Sequence, residues 1–120
     1  MSVSDCVFCR IVQGDEPATV LWRGYGAMVI VPLNPVTEGH VIALPELHAR
    51  DFAQSWLCTS NAMHAAYQYV QPMAEDFNII TSKGPAATQS VFHLHVHIVP
   101  RRRNDGLALP WYSGKSRRDS

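Results

Sequence analysis

Long apolar runs are absent. No segment approaches the ~18 residues that a membrane span needs, so a membrane protein is not expected. Net charge is absent too: ten basic and ten acidic residues cancel, which argues against a protein that coats nucleic acid or is drawn to an anionic surface. Cysteine is used three times, at Cys6, Cys9 and Cys58. An odd count, with no signal-like apolar run after a basic start, points to a reducing compartment, the cytoplasm. The loop from Thr81 to Ser90 holds one glycine, Gly84, too few for the cradle of a P-loop. Internal repeats and low-complexity segments are missing as well. What remains is one domain of ordinary composition, large enough for a single core.

Charge is uneven along this neutral chain. Residues 101–120 carry six basic and two acidic side chains, net +4, leaving −4 on the first hundred. The stretch after Pro100 reads as a basic, loop-like tail closing with Leu109-Pro110-Trp111-Tyr112.

Against that background stands Phe92-His93-Leu94-His95-Val96-His97-Ile98-Val99. In a strand, side chains alternate faces, so the three histidines would line one face about 6.6 Å apart, with Phe92, Leu94, Val96 and Ile98 on the other. Histidine as polar filler is the bland alternative; Thr, Lys or Ser fill that role more often. A histidine row suits metal ligation, because neutral imidazoles bind transition metals. It equally suits covalent catalysis, in which one imidazole attacks and its neighbours orient it. Spacing alone leaves both open, although the sheet offers no obvious inward carboxylate for a mononuclear metal hydrolase.

The rest of the chain supplies a scaffold. Cys6 to Val12 reads as a short knuckle, and strands are expected at Thr19–Arg23, Ala27–Val31, His40–Leu44 and Phe77–Thr81, with the histidine strand fifth. Between the third and fourth lies a long helix. Asp51 is its expected N-cap, with Trp56, Met63, Ala66, Tyr67 and Val70 at helical spacing before Pro72, and Thr59-Ser60 marks a place for a break. This order predicts an α+β domain with a helix packed on a mostly antiparallel sheet. Cys6 and Cys9 form a Cys-x2-Cys pair, half of a tetrahedral zinc site, or else a reduced pair that packs the N-terminus. With no second pair, the remaining ligands would be histidines, His48 and one end of the row. On residue type alone His40, His64 and Cys58 read as structural.

Residues Gln89 to Pro100, with His-φ-His-φ-His-φ-φ at their centre, resemble the motif of the histidine triad (HIT) superfamily. Cys6-Val7-Phe8-Cys9-Arg10-Ile11 resembles its opening, and Pro35 to Ile42 with Pro45-Glu46-Leu47-His48 resembles its Gly-His strand and following histidine. The likeness is nearest to the bacterial zinc-containing, Hint-like branch. It implies a five-stranded mostly antiparallel sheet with one long and one short helix, and a homodimer joining two sheets. The HIT domain with its zinc knuckle would span residues 1–100, and the tail, 101–120, would contact the dimer or the active site, with Trp111 reaching the partner or packing the interface.

The activity implied is hydrolysis of nucleoside phosphoramidates, or related purine nucleotide esters and anhydrides, at the α-phosphorus. His95 would be the nucleophile, its tautomer set by the His93 carbonyl. His97, His40 and Ser90 would complete the catalytic group, and Gln89, Ser82 and Asn34 would bind substrate. Structural zinc would be held by Cys6, Cys9, His48 and His93, with no catalytic metal. A dinucleoside polyphosphate hydrolase, a low-turnover nucleotide-binding regulatory dimer and a metal-dependent hydrolase are the alternatives. The chain departs from the family pattern at Pro32, where relatives hold ribose with Asp or Asn, at Ser82, where Asn or Gln is common, and at Thr88, usually Gly.

Overall fold

A computed structural model describes residues 5–109. The strands are β1 (Val20–Gly24), β2 (Ala27–Ile30), β3 (Val41–Pro45), β4 (Asp76–Ile80) and β5 (Val96–Arg101), and the helices α1 (Val7–Gln13) and α2 (Trp56–Val70). One sheet has the order β1-β2-β3-β5-β4, every pairing antiparallel. The expected α+β architecture is therefore present. Among the described residues no helix is long and apolar enough to cross a membrane.

Alternation along the strands divides the core in two. Ala27, Val29, Val41, Ala43, Val96 and Ile98 face α2, while Met28, Ile30, Ile42 and Leu44 face Phe8, Ile11 and Val12 of α1. His97 pairs with Ile42 and Ile80, so it stands on the α1 side. The β1–β2 turn places Tyr25 (φ 53°) and Gly26 (φ 77°) in the left-handed region, as a tight hairpin requires. A Cβ on Gly26 would lie 2.7 Å from Asn61 Nδ2, so the glycine also permits α2 to approach.

Several details differ from expectation. The ladder of the fifth strand begins at Val96, not Phe92, because Leu94 N–H bonds Ala49 O (2.7 Å) in the loop beside α2. Leu94 still joins the α2-side core as alternation required, but Phe92 does not. Ser55, not Asp51, caps α2: its hydroxyl accepts from Cys58 N–H at 3.2 Å, while Asp51 accepts from Ala53 N–H in the preceding turn. The helix is continuous through Thr59-Ser60, and its buried face is Cys58, Ala62, Ala65 and Ala66. Of the expected apolar stripe only Ala66 and Val70 pack inward; Trp56 is 81% exposed, and Met63 and Tyr67 are also exposed. Small side chains won because the sheet beneath presents Ala27 and Ala43, and two such surfaces pack closest through alanine. Finally, β5 continues through Pro100 to Arg101, and the chain is described to Leu109; Trp111 and residues 110–120 of the tail lie outside the described residues.

Candidate functional site

The residues around His93 divide its two ring nitrogens. His93 is fully buried, and its Nε2–H donates to Pro45 O at 3.0 Å. Its Nδ1 lone pair therefore points at the sulfurs of Cys6 and Cys9, 3.4 and 3.5 Å away. His48 Nδ1 lies 3.3 Å from Cys9 Sγ. The four donor atoms all fall within 4.8 Å of one another. Zinc bonds of about 2.3 Å to sulfur and 2.0 Å to nitrogen give tetrahedral S–N edges of about 3.5 Å, close to the distances found. A carbonyl on the far nitrogen of a ligating histidine is the orienting contact that metal sites use. The expected ligand set is thus brought together, and it fits a metal ion.

Protonation favours the same reading. Burial, and then the hydrogen bond and charge of Cys6, push the Cys9 thiol up to about 11, and burial lowers His93 to about 4. A neutral imidazole beside the buried Cys9 thiol, which resists ionisation, is a set that a bound cation would stabilise. The N–H of Cys9 also donates to Cys6 Sγ (3.3 Å), so the first turn of α1 is folded around the sulfur.

His95 is held differently. Its Nδ1–H donates to the carbonyl of His93 at 2.8 Å, which leaves the Nε2 lone pair free. Burial lowers its pKa, with the bond to His93 opposing, so the ring is neutral near pH 7. Phe8 meets the ring edge-on at 5.1 Å, and the Thr81 hydroxyl donates to His95 O at 2.8 Å, pinning the backbone.

His40 and His97 form a relay with one consistent proton arrangement. Val36 N–H donates to His40 Nδ1 (3.0 Å), so the His40 proton is on Nε2. That proton faces His97 Nδ1 at 3.0 Å, which in turn places the His97 proton on Nε2. His97 is then a donor beside His95, with ring centroids 5.1 Å apart. Gly39 (φ 89°) makes the turn into His40, and a Cβ there would come within 3.0 Å of Pro100.

Burial, and then the charges of His95 and His40, lower His97 to about 4, while burial alone lowers His40. Arg101, further along the strand, is tied to Asp105. Because the unfolded state of His97 titrates near 6.5 and the folded one near 4, its neutral form contributes stability that is complete above pH 6.5. That contribution declines as pH falls from 6.5 to 4 and is gone below. The melting temperature of His97→Asn is accordingly expected to depend less on pH across this window than that of the wild type.

Residues 13–104 match the HIT domain family. The chain belongs to the HIT family. It is similar to the adenylylsulfatase HINT3 of Arabidopsis thaliana, 32% identical over 98% of this chain and 61% of that protein, so it spans under two thirds of this relative's length. The adenosine 5′-monophosphoramidase HNT1 of Saccharomyces cerevisiae is 29% identical over 88% of this chain and 69% of its own. Among solved structures, a HIT family hydrolase from Clostridium thermocellum superposes with TM-score 0.77 at 25% identity, covering 90% of this chain and all of that one.

The loop that leads into the HIT motif, and the loop after β2, carry polar residues with separate placements. Gln89 is buried, and its side chain is committed to protein: Nε2 donates to Arg50 O (2.8 Å) and Val91 O (3.1 Å), and Oε1 accepts from Gly84 N–H (2.8 Å). Its amide therefore orders the loop, where the sequence suggested a substrate contact. Ser90 is exposed immediately before the triad, Ser82 is half-buried just after β4, and Asn34 is exposed in the loop following β2. Thr88 has φ 73°, which is unfavourable for a β-branched residue. Thr88→Gly is expected to raise stability by about 1 kcal/mol, the relief of strain exceeding the added chain entropy, as read by urea unfolding.

Phe8 and Thr81 were not singled out from sequence as contacts of His95. Phe8 lies between the paired cysteines, a position that turns toward the site once α1 forms. Thr81 gave no signal, since its bond is to a backbone carbonyl fourteen residues on.

Proposed function

We propose that this protein is a nucleotide hydrolase that cleaves nucleoside phosphoramidates, or related purine nucleotide esters and anhydrides, at the α-phosphorus through a nucleotidyl-histidine intermediate. The observation that carries this reading is the bond from His95 Nδ1–H to the His93 carbonyl, because it leaves Nε2 as a neutral nucleophile. In the first step the Nε2 lone pair forms a bond to phosphorus. The P–N bond breaks, and the amine leaves with its electron pair and takes a proton from solvent. Water then attacks the same phosphorus, loses a proton to solvent and releases nucleoside monophosphate and free His95.

Charge builds on the phosphoryl oxygens in both steps. The Nε2–H of His97, fixed by His40, donates to them, and Ser90 donates on the leaving-group side. Phe8 beside His95 and the apolar loop Val31–Leu33 would cover the base. Asn34 would take the ribose that Pro32 cannot bind, and Ser82 and the loop ordered by Gln89 would border the phosphate. No step needs a catalytic metal: the nitrogens of His40 and His97 face each other and His95 faces a carbonyl, whereas the donors that converge are Cys6, Cys9, His48 and His93. That set would hold zinc as a structural clamp.

The free edge of β4, with Ile79 and Ile80 exposed, would join two copies into a homodimer, and the basic tail would complete the dimer or the site. The cytoplasm would keep Cys6, Cys9 and Cys58 reduced, as they are here. Incubation with adenosine phosphoramidate tests the reading. Release of the monophosphate and ammonia without added metal is expected. Binding without turnover of any phosphoramidate or polyphosphate would contradict it.

A further inference from the structure

His95 stands one residue before β5, and Thr81 one residue after β4. The β4–β5 ladder ends where Ile80 pairs with His97, and the β3–β5 ladder where Ala43 pairs with Val96. Neither register includes His95. Three other contacts locate it: its ring donates to His93 O at 2.8 Å, Phe8 meets the ring edge-on at 5.1 Å, and the Thr81 hydroxyl donates to the His95 carbonyl at 2.8 Å. The first two act on the imidazole. The third grips the backbone from which the imidazole hangs.

Threonine suits this task. It is branched at Cβ and restricted at χ1, so the backbone that ends β4 also aims the hydroxyl. The bond does what a further rung of the ladder would do, tying the end of β4 to the segment beside it, fourteen residues on. We propose that Thr81 is a positioning residue for the nucleophile: by holding the His95 carbonyl it fixes the line along which Nε2 meets phosphorus. This rests on the proposed role of His95. A reacting group must be held within about 0.5 Å of its productive place, and a displacement of about 1 Å costs on the order of 10²-fold in rate. Removing the Thr81 hydroxyl leaves the bond to His93 O and the Phe8 contact in place, so a smaller loss of about tenfold follows. It falls on kcat, because alignment of the nucleophile is used in the transition state and not in holding substrate.

Thr81→Val keeps the shape and removes the donor, Thr81→Ala removes it with a smaller side chain, and Thr81→Ser keeps it. Thr59→Val is the matched control. Its hydroxyl also donates to a backbone carbonyl, Phe52 O at 2.7 Å, but from α2, across the sheet from His97. With adenosine phosphoramidate, Thr81→Val and Thr81→Ala are expected to lower kcat and the single-turnover rate about tenfold, with KM within about twofold. Thr81→Ser should return to within about threefold of the wild type, and Thr59→Val should match the wild-type rates even where its melting temperature falls. Unchanged rates in Thr81→Ala, no recovery with serine, or an equal loss in Thr59→Val would overturn the positioning role while leaving the nucleotide hydrolase standing. Absence of turnover by the wild type would overturn the hydrolase, and Thr81 is then judged on the imidazole itself. Nitrogen-15 NMR of the histidine rings is expected to show His95 protonated at Nδ1 alone in the wild type and Thr81→Ser, and a mixture of Nδ1–H and Nε2–H forms in Thr81→Ala. A single unchanged Nδ1–H form in all three would overturn the role of Thr81.

Discussion

His95→Ala is expected to abolish turnover of α-phosphorus substrates, by on the order of 10⁴-fold or more in kcat, while fold and metal content persist. The size of the effect follows from how the other imidazoles are used. His93 gives one nitrogen to Pro45 O and turns the other to the cysteines. His40 is bonded at both ends, and His97 accepts at Nδ1 and carries its proton on Nε2. No neighbour therefore has a lone pair to substitute for His95 Nε2. His97→Asn should be milder, about 10²-fold, because it removes a donor and not the nucleophile. Equal losses in the two variants would contradict the separate roles of nucleophile and donor. Single-turnover assays distinguish the cases.

Loss of the metal site should be the largest stability effect. Cys9→Ala is expected to abolish zinc binding and lower stability by about 3 kcal/mol, a fall in melting temperature on the order of 10–20 °C. The clamp joins α1, the loop at His48 and the segment before β5, positions 39 and 84 residues apart from Cys9. Without it α1 is left with the packing of Phe8, Ile11 and Val12 on the sheet and weaker polar contacts such as Arg23 Nη2 to Val12 O. The loss should also reach the site, since Phe8 leans on His95; KM for a nucleotide should rise. His48→Ala, at an exposed ligand, should weaken zinc rather than remove it. Metal analysis with thermal unfolding checks both, and full zinc occupancy in Cys6→Ser and His48→Ala would refute the ligand set.

Much of this arrangement was legible in the chain because period-2 alternation and residue type carry it. Leu94, Val96 and Ile98 pack toward α2, and His93, His95 and His97 lie on the other side, even though the first two histidines precede the ladder. Alternation survives there because extended backbone, not hydrogen bonding, sets side-chain direction. The division of the row between metal and phosphate came from likeness to the HIT motif, not from spacing. What stayed hidden depends on contacts distant in sequence or made by the backbone. The Thr81 bond to His95 O, the Gln89 bonds to Arg50 and Val91, and the knot of Arg101 with Asp105 have no periodic signature. The buried face of α2 departs from its hydrophobic pattern for a related reason. Hydrophobicity singles out Trp56, Met63 and Tyr67, but close packing on an alanine-bearing sheet selected Cys58, Ala62, Ala65 and Ala66.

The division of labour among the histidines can be tested at the covalent step. Rapid quench of the enzyme with adenosine phosphoramidate, followed by peptide mapping, should find one nucleoside monophosphate bound through phosphorus to His95, formed and lost at rates consistent with turnover. An adduct on another residue, or turnover with no adduct under conditions that preserve phosphohistidine, would contradict the assignment of His95 as the nucleophile.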